Sequence, residues 1–186
     1  MYTLGRSREK ASAVRHLRSK RFAASAEAVV DAAHDMLEMI RPEAEVRELF
    51  RGFFVDGGRE IGELAGSWLG SLTRQYPSFL SLWQELAVHR LLKVRSCVAS
   101  CLFKIPAPGA LDIAAVLIGD RSPKIRCIVT AELAEFVEEQ AHVLLKERLA
   151  VEKNASVTHC LQLSLDRSHK LMKHARETNG LRVRDI

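Results

Sequence analysis

The chain has 186 residues, of which 47% are hydrophobic and only 6% aromatic, and its formal net charge is +5 at pH 7. This length provides either one compact domain or several stacked helix pairs. No stretch approaches 18 consecutive apolar residues, and the first 21 residues lack the apolar core of a secretory signal, which favours a soluble protein. Four cysteines without closely paired spacings suit a reducing compartment, so we predict a cytoplasmic protein.

The positive charge is concentrated at the two ends of the chain. Residues 1–21 carry seven Lys or Arg against Glu9 alone, residues 167–186 have a net charge of +4, and residues 22–166 have a net charge of −5. We therefore predict a basic N-terminal arm, a helical-repeat domain over 22–166 and a basic C-terminal helix and tail. The arm is also Arg-rich and poor in acids, as organelle-targeting presequences are. A basic end can bind phosphates or acidic proteins by itself.

Apolar residues recur at helical spacing along most of the chain, and no segment has the alternating β-branched pattern of a strand. Residues 1–21 read as a frayed helix or a flexible arm. The chain is therefore predicted to be all-α. From the apolar periodicity and the Pro and Gly breaks we predict helices at 25–40, 42–54, 59–75, 78–88, 90–104, 110–118, 123–136, 138–150, 155–165 and 167–178, the last ending at Asn179-Gly180.

Two turns share a sequence pattern one period apart. The run Lys93-Val94-Arg95 matches Lys124-Ile125-Arg126 at an offset of 31 residues, and each run continues into an apolar helix. Repetition at this period indicates hairpins of two short helices, each completing the core of its neighbour. At an offset of 32 the apolar residues of the later segment match as well, with Val157, Leu161 and Leu165 falling on Ile125, Val129 and Leu133.

The run from Asp120 to Arg126, followed by an apolar helix that contains alanine, resembles the turn and second helix of HEAT and HEAT-like repeats. The similarity is good over 90–136, fair over 138–166 and poor over 43–75. It implies a short right-handed α-solenoid of antiparallel helix pairs, with extra N- and C-terminal helices. In that family binding, usually of proteins, takes place on the concave surface that the second helices line.

The resemblance also implies a ladder of Asp and Arg side chains between neighbouring repeats. It would give Asp120, Arg95 and Arg126 structural roles, with Glu152 at the next position equivalent to Asp120. Basic residues at the starts of second helices are alternatively candidates for contacting a partner, as are acidic residues near the end of the 123–136 helix. The predicted partner-binding residues are Lys93, Arg95, Lys124, Arg126, Glu132 and Glu135.

Residues with metal-ligand chemistry cluster on one face of the 25–40 helix, where Asp31, His34, Asp35 and Glu38 recur at helical spacing. The alternative is the solvated face of an amphipathic helix. Cys97 and Cys101 share a face, and His159 adjoins Cys160, but structural zinc needs tighter ligand pairs, and buried cysteines in helix packing are favoured. No phosphate loop, dinucleotide fingerprint or zinc-protease motif occurs, so no cofactor is predicted.

A stripe of small residues recurs every four positions at Gly62, Gly66 and Gly70. It predicts either a close contact with another helix or a pliable point.

The whole sequence pattern favours binding over catalysis, and we predict a non-catalytic interaction module that binds a protein partner. A small bacterial inhibitor or immunity-type protein is one such module. The alternative is a nucleic-acid-binding or DNA-repair protein that uses a basic surface, since some HEAT-like proteins are DNA glycosylases.

Overall fold

A computed structural model describes residues 5–177, and all regular structure in this range is helical, which confirms the predicted all-α class. Short 3-10 turns at Lys20–Phe22, Pro77–Phe79 and Leu102–Lys104 join some of the helices. The predicted stop at Asn179-Gly180 lies outside the described residues. The α-helices of this part of the chain are α1 (Arg6–Arg15), α2 (Ala23–Leu37), α3 (Glu43–Asp56), α4 (Gly58–Gln75), α5 (Leu80–Ala87), α6 (Leu92–Ala99), α7 (Ala107–Leu117), α8 (Pro123–Leu133), α9 (Glu139–Val151) and α10 (Ala155–Glu177).

The helices form two compact units, one ending at Pro106 and the other beginning at Ala107. The first unit contains α1 to α6 and the second contains α7 to α10. No helix among the described residues is long and apolar enough to cross a membrane.

The first unit repeats one packing arrangement. The His34 ring of α2 lies 5.8 Å from the Trp68 ring of α4, and the face of α4 that carries Gly62 meets Cys97 of α6. Helix α4 therefore packs between α2 and α6, through contacts between residues that are 34 or 35 positions apart in the chain. Helices α3 and α5 contact each other at the same spacing, since Arg51 of α3 donates two hydrogen bonds of 2.7 Å to Glu85 of α5.

The glycine stripe of α4 serves close helix packing, which settles the choice that the sequence left open. A Cβ at Gly62 would lie 2.7 Å from the Cys97 sulfur, and one at Gly66 would lie 2.4 Å from the Cys101 sulfur. At Gly70 a Cβ would lie 2.6 Å from the backbone oxygen of Lys104. Side chains larger than hydrogen would push α4 away from the segment that packs against it.

In the second unit α8 packs against α10, and most of the apolar positions that match one another in sequence are buried. Ile125, Val129 and Leu133 are fully buried, and so are their matches Val157 and Leu161. The third match, Leu165, is only half-buried.

The structure joins the two helices predicted at 155–165 and 167–178 into the single helix α10. No Gly or Pro interrupts this segment. The buried stripe also continues across the predicted break through Ser164 and Ser168, which are 7% and 0% exposed. The predicted domain boundary between residues 166 and 167 therefore falls inside a helix.

Candidate partner-binding surface

Arg126 links two helical hairpins of the second unit. Its Nε and Nη2 donate hydrogen bonds of 2.8 and 2.9 Å to the two carboxylate oxygens of Glu152, and its Nη1 donates to the backbone oxygen of Asp120 at 2.7 Å. Hydrogen bonding from Arg126, together with that from Asn154 and Arg148, lowers the pKa of Glu152 to about 2 despite burial. Arg126 was predicted to bind a partner, but it is only 8% exposed, and its guanidinium group forms hydrogen bonds within the protein.

Arg95 has a comparable internal role in the first unit. It is 5% exposed, and its Nη1 donates to the backbone oxygens of His89 and Arg90 at 2.7 and 3.0 Å. These bonds hold the turn between α5 and α6. The guanidinium group is therefore directed at the protein's own backbone.

The other predicted partner-binding residues lie nearer to solvent. Lys93 and Lys124 are exposed in the first turns of α6 and α8, and no described residue forms a hydrogen bond or ion pair with either ammonium group. Glu132 is half-buried, and Glu135 is half-buried in an ion pair with Arg167 of α10. Of the six residues, the two lysines are the most available to a partner.

Exposed apolar side chains occur in the same α5–α6 segment as Lys93. Val88 follows α5 and is 66% exposed, and Leu92 begins α6 and is 46% exposed. Val88, Leu92 and Lys93 together form what we call the turn patch. Sequence reasoning missed its apolar part, although Leu91-Leu92 at a helix start was a signal because both side chains cannot face the same core. The α2–α3 turn has the same character, with Met39 and Ile40 exposed by 82% and 63%.

The acidic face of α2 is covered by α1. Arg6 donates to Asp31 at 2.7 Å and to Asp35 at 2.8 Å, and Lys10 donates to Asp31 at 2.7 Å. The hydrogen bond from Lys10, with help from Arg6, lowers the pKa of Asp31. Of the basic segment 1–21, predicted as a frayed helix or an arm, Arg6–Arg15 thus form a helix, and part of its charge pairs with the carboxylates of α2.

His34 is enclosed by two carboxylates. Its Nε2 lies 2.5 Å from Glu9 of α1, and its Nδ1 lies 3.2 Å from Glu38. Both contacts are donor hydrogen bonds to ionised carboxylates only when both ring nitrogens carry a proton. The face is therefore an inter-helix ion-pair network rather than a solvated surface. No group of three His, Cys, Asp or Glu residues between positions 5 and 177 is arranged to hold a metal ion.

The cysteines occur in two close pairs, one in each unit. Hydrogen bonding with Cys101 and burial raise the pKa of Cys97, and burial with Cys160 close by raises the pKa of Cys127 to about 11. These two sulfurs are thus protonated thiols at neutral pH, a form that is a poor nucleophile.

Comparison with known proteins identified no relative: the chain matches no protein-family model, no curated protein and no solved structure. The candidate surface is therefore defined by its own residues and contacts.

Proposed function

We propose that the chain is a non-catalytic, HEAT-like helical-repeat module that binds a protein partner. The observation that carries this proposal is the turn patch, where the segment joining α5 to the first turn of α6 exposes two apolar side chains, Val88 and Leu92, and Lys93, whose ammonium group pairs with no described residue. Single exposed apolar residues are ordinary on protein surfaces. Here two of them and a cation are exposed within six residues of the chain, around a turn that Arg95 stabilises by donating to the backbone oxygens of His89 and Arg90. A surface of this kind fits an acidic partner segment that carries apolar side chains.

The proposed repeat architecture is supported by the constant register of the contacts. Arg51 and Glu85 are 34 residues apart, and Gly66 meets Cys101 35 residues later. Stacked hairpins of one period generate a solenoid when the pattern continues along the chain. Such stacks place their intra-repeat turns along one edge, where several turns can contact one partner.

The test is affinity capture from native lysate after nuclease treatment, carried out in parallel with charge-reversed variants. We expect one protein to be retained by the unaltered chain and lost with Lys93→Glu or Leu92→Ser. The matched control is Lys146→Glu, which changes an exposed lysine of α9. If the same protein is captured equally well by all variants, the turn patch is not the binding surface.

The nucleic-acid alternative is an outcome of the same experiment. Partners lost on nuclease treatment, and binding that weakens steeply with salt, would support it, because phosphate contacts release counterions. The structure reduces the positive charge available for that role, since Arg6 and Lys10 are ion-paired with α2. We therefore place protein binding first.

A further inference from the structure

An open cleft of about 630 Å³ lies in the first unit between the C-terminal half of α1 and the N-terminal half of α4. This volume is within the range that small-molecule sites occupy. The apolar part of its lining comes from Leu17, Leu64 and Trp68. One wall of the cleft is α1, which packs on α2 and forms ion pairs with it through Arg6 and Lys10.

Trp68 offers an aromatic surface in this cleft. Its ring is half-buried against His34, and no described residue accepts a hydrogen bond from its indole N–H. The other tryptophan, Trp83, is fully buried and donates its indole N–H to the Thr73 hydroxyl at 3.0 Å. The two tryptophans thus differ: Trp83 is a core residue whose indole N–H is hydrogen-bonded, and Trp68 lines the cleft.

The charged groups of the cleft are unequally exposed. The side chain of Glu9 is only 15% exposed, and one of its oxygens bonds to His34. Glu63 is 43% exposed and accepts from Arg59, whose own side chain is 87% exposed. Arg18 is exposed, and its backbone N–H donates to Glu60 at 2.8 Å. Carboxylates therefore lie deeper in the cleft than guanidinium groups.

The C-terminus of α1 lies at this cleft, and the Lys20 ammonium group donates to the backbone oxygen of Val14 there at 3.1 Å. The helix ends at Arg15, and the next three residues, His16, Leu17 and Arg18, all line the cleft. A helix C-terminus carries partial negative charge on its last carbonyl groups, which favours a cation nearby.

We propose that this cleft binds a small organic cation with an apolar or aromatic body. The ammonium group would pair with Glu63 and with the Oε1 of Glu9, which forms no hydrogen bond with a described residue. The body would pack on Trp68 and Leu64. An aromatic ring next to carboxylates is the combination that recognises alkylammonium groups, because the ring face and the carboxylates attract the same charge. This site is separate from the turn patch.

The test is a titration of ¹⁵N-labelled full-length protein with phenethylammonium chloride, followed by the two indole N–H signals in NMR spectra. We expect a saturable shift of the Trp68 signal, assigned with Trp68→Phe, while the Trp83 signal stays in place and reports that the fold is intact. The neutral analogue 2-phenylethanol and the anion phenylacetate should bind at least about tenfold more weakly.

Two variants test the carboxylates. Glu9→Gln and Glu63→Gln should each weaken phenethylammonium binding several-fold, and Glu27→Gln on the exposed side of α2 should leave it unchanged. Because Glu9→Gln can loosen α1, Glu63→Gln on α4 provides a test that does not rely on α1. The proposal is overturned if the Trp68 signal does not shift saturably, if 2-phenylethanol binds equally well, or if both variants bind like the unaltered protein.

Discussion

Glu152 shows how one buried charge is stabilised. Its side chain is 2% exposed, and Arg126, Arg148 and the backbone N–H groups of Lys153 and Asn154 supply hydrogen bonds to its two oxygens. Removal of an ion from water costs several kcal/mol unless such bonds replace its hydration. Glu152 lies in the turn between α9 and α10, and Asp120 lies in the turn between α7 and α8. Arg126 donates hydrogen bonds to both residues and so connects the two turns.

We expect Glu152→Gln to lower the free energy of unfolding by about 3–5 kcal/mol, because the buried guanidinium of Arg126 loses its counter-charge. Urea denaturation measures this change. Glu147→Gln, on the exposed side of α9, is the matched control and should change the stability by less than about 0.5 kcal/mol. A loss at Glu152 as small as that of the control would show that the ion pair adds nothing to stability.

The same carboxylate predicts how stability depends on pH. The pKa of Glu152 falls from 4.5 to about 2 in the folded protein, so the folded state holds the charged form more strongly than the unfolded chain does. Its contribution is complete above the unfolded value and is lost as the pH falls towards 2. The stability difference between the unaltered protein and Glu152→Gln should therefore shrink between about pH 5 and pH 2. A difference that is constant over this range would contradict the assignment.

At the scale of elements, the close packing of α4 depends on glycines, because a Cβ at these positions would clash with the neighbouring segment. Gly70 faces the backbone of Lys104, which cannot rotate away as a side chain could. Gly52 of α3, in contrast, has nothing within 4 Å of the place that a Cβ would occupy. The two glycines are helical residues in one unit, which makes them a matched pair.

We expect Gly70→Ala to destabilise the protein by about 1–3 kcal/mol through overpacking. Gly52→Ala should stabilise it by about 0.5–1 kcal/mol, because alanine favours the helix and meets no obstacle. Thermal or urea unfolding of both variants measures whether each substitution raises or lowers the free energy of unfolding. Equal effects of the two substitutions would mean that helix propensity alone, and not the close contact, decides the outcome.

The packing of α1 depends on partly exposed ion pairs. Each such pair contributes about 0.2–1 kcal/mol. We therefore expect Arg6→Gln combined with Lys10→Gln to accelerate amide hydrogen exchange in α1 by roughly 5-fold to 30-fold. The control is Arg8→Gln, an exposed position of the same helix. Unchanged exchange in the double variant would show that apolar contacts hold α1.

At the scale of the whole molecule, the division after Pro106 separates the effects of these substitutions. Local opening follows compact units, because cooperative contacts lie mostly inside them. Hydrogen exchange should therefore rise mainly at 107–177 in Glu152→Gln and mainly at 5–106 in Gly70→Ala. Uniform acceleration along the chain in both variants would show that the two units unfold as one.

Most of the helices could be predicted from the sequence, because the apolar spacing and the Pro and Gly breaks are local signals. Helix α10 was divided wrongly, since buried Ser164 and Ser168 continue a stripe that a hydrophobic pattern does not show. The cleft beside Trp68 was missed for a different reason. Its walls, α1 and α4, are separated by more than forty residues in the chain, and only packing brings them together.

The sequence by itself determined the helical class and the concentration of positive charge at the ends, since these are properties of composition and spacing. Only the tertiary structure decided which charges are available to a partner. Arg95 and Arg126 follow the same pattern as Lys93 and Lys124, yet the arginines are buried in hydrogen bonds and the lysines face solvent. The physical reason is that burial and ion pairing depend on contacts between distant segments, which a local pattern does not encode.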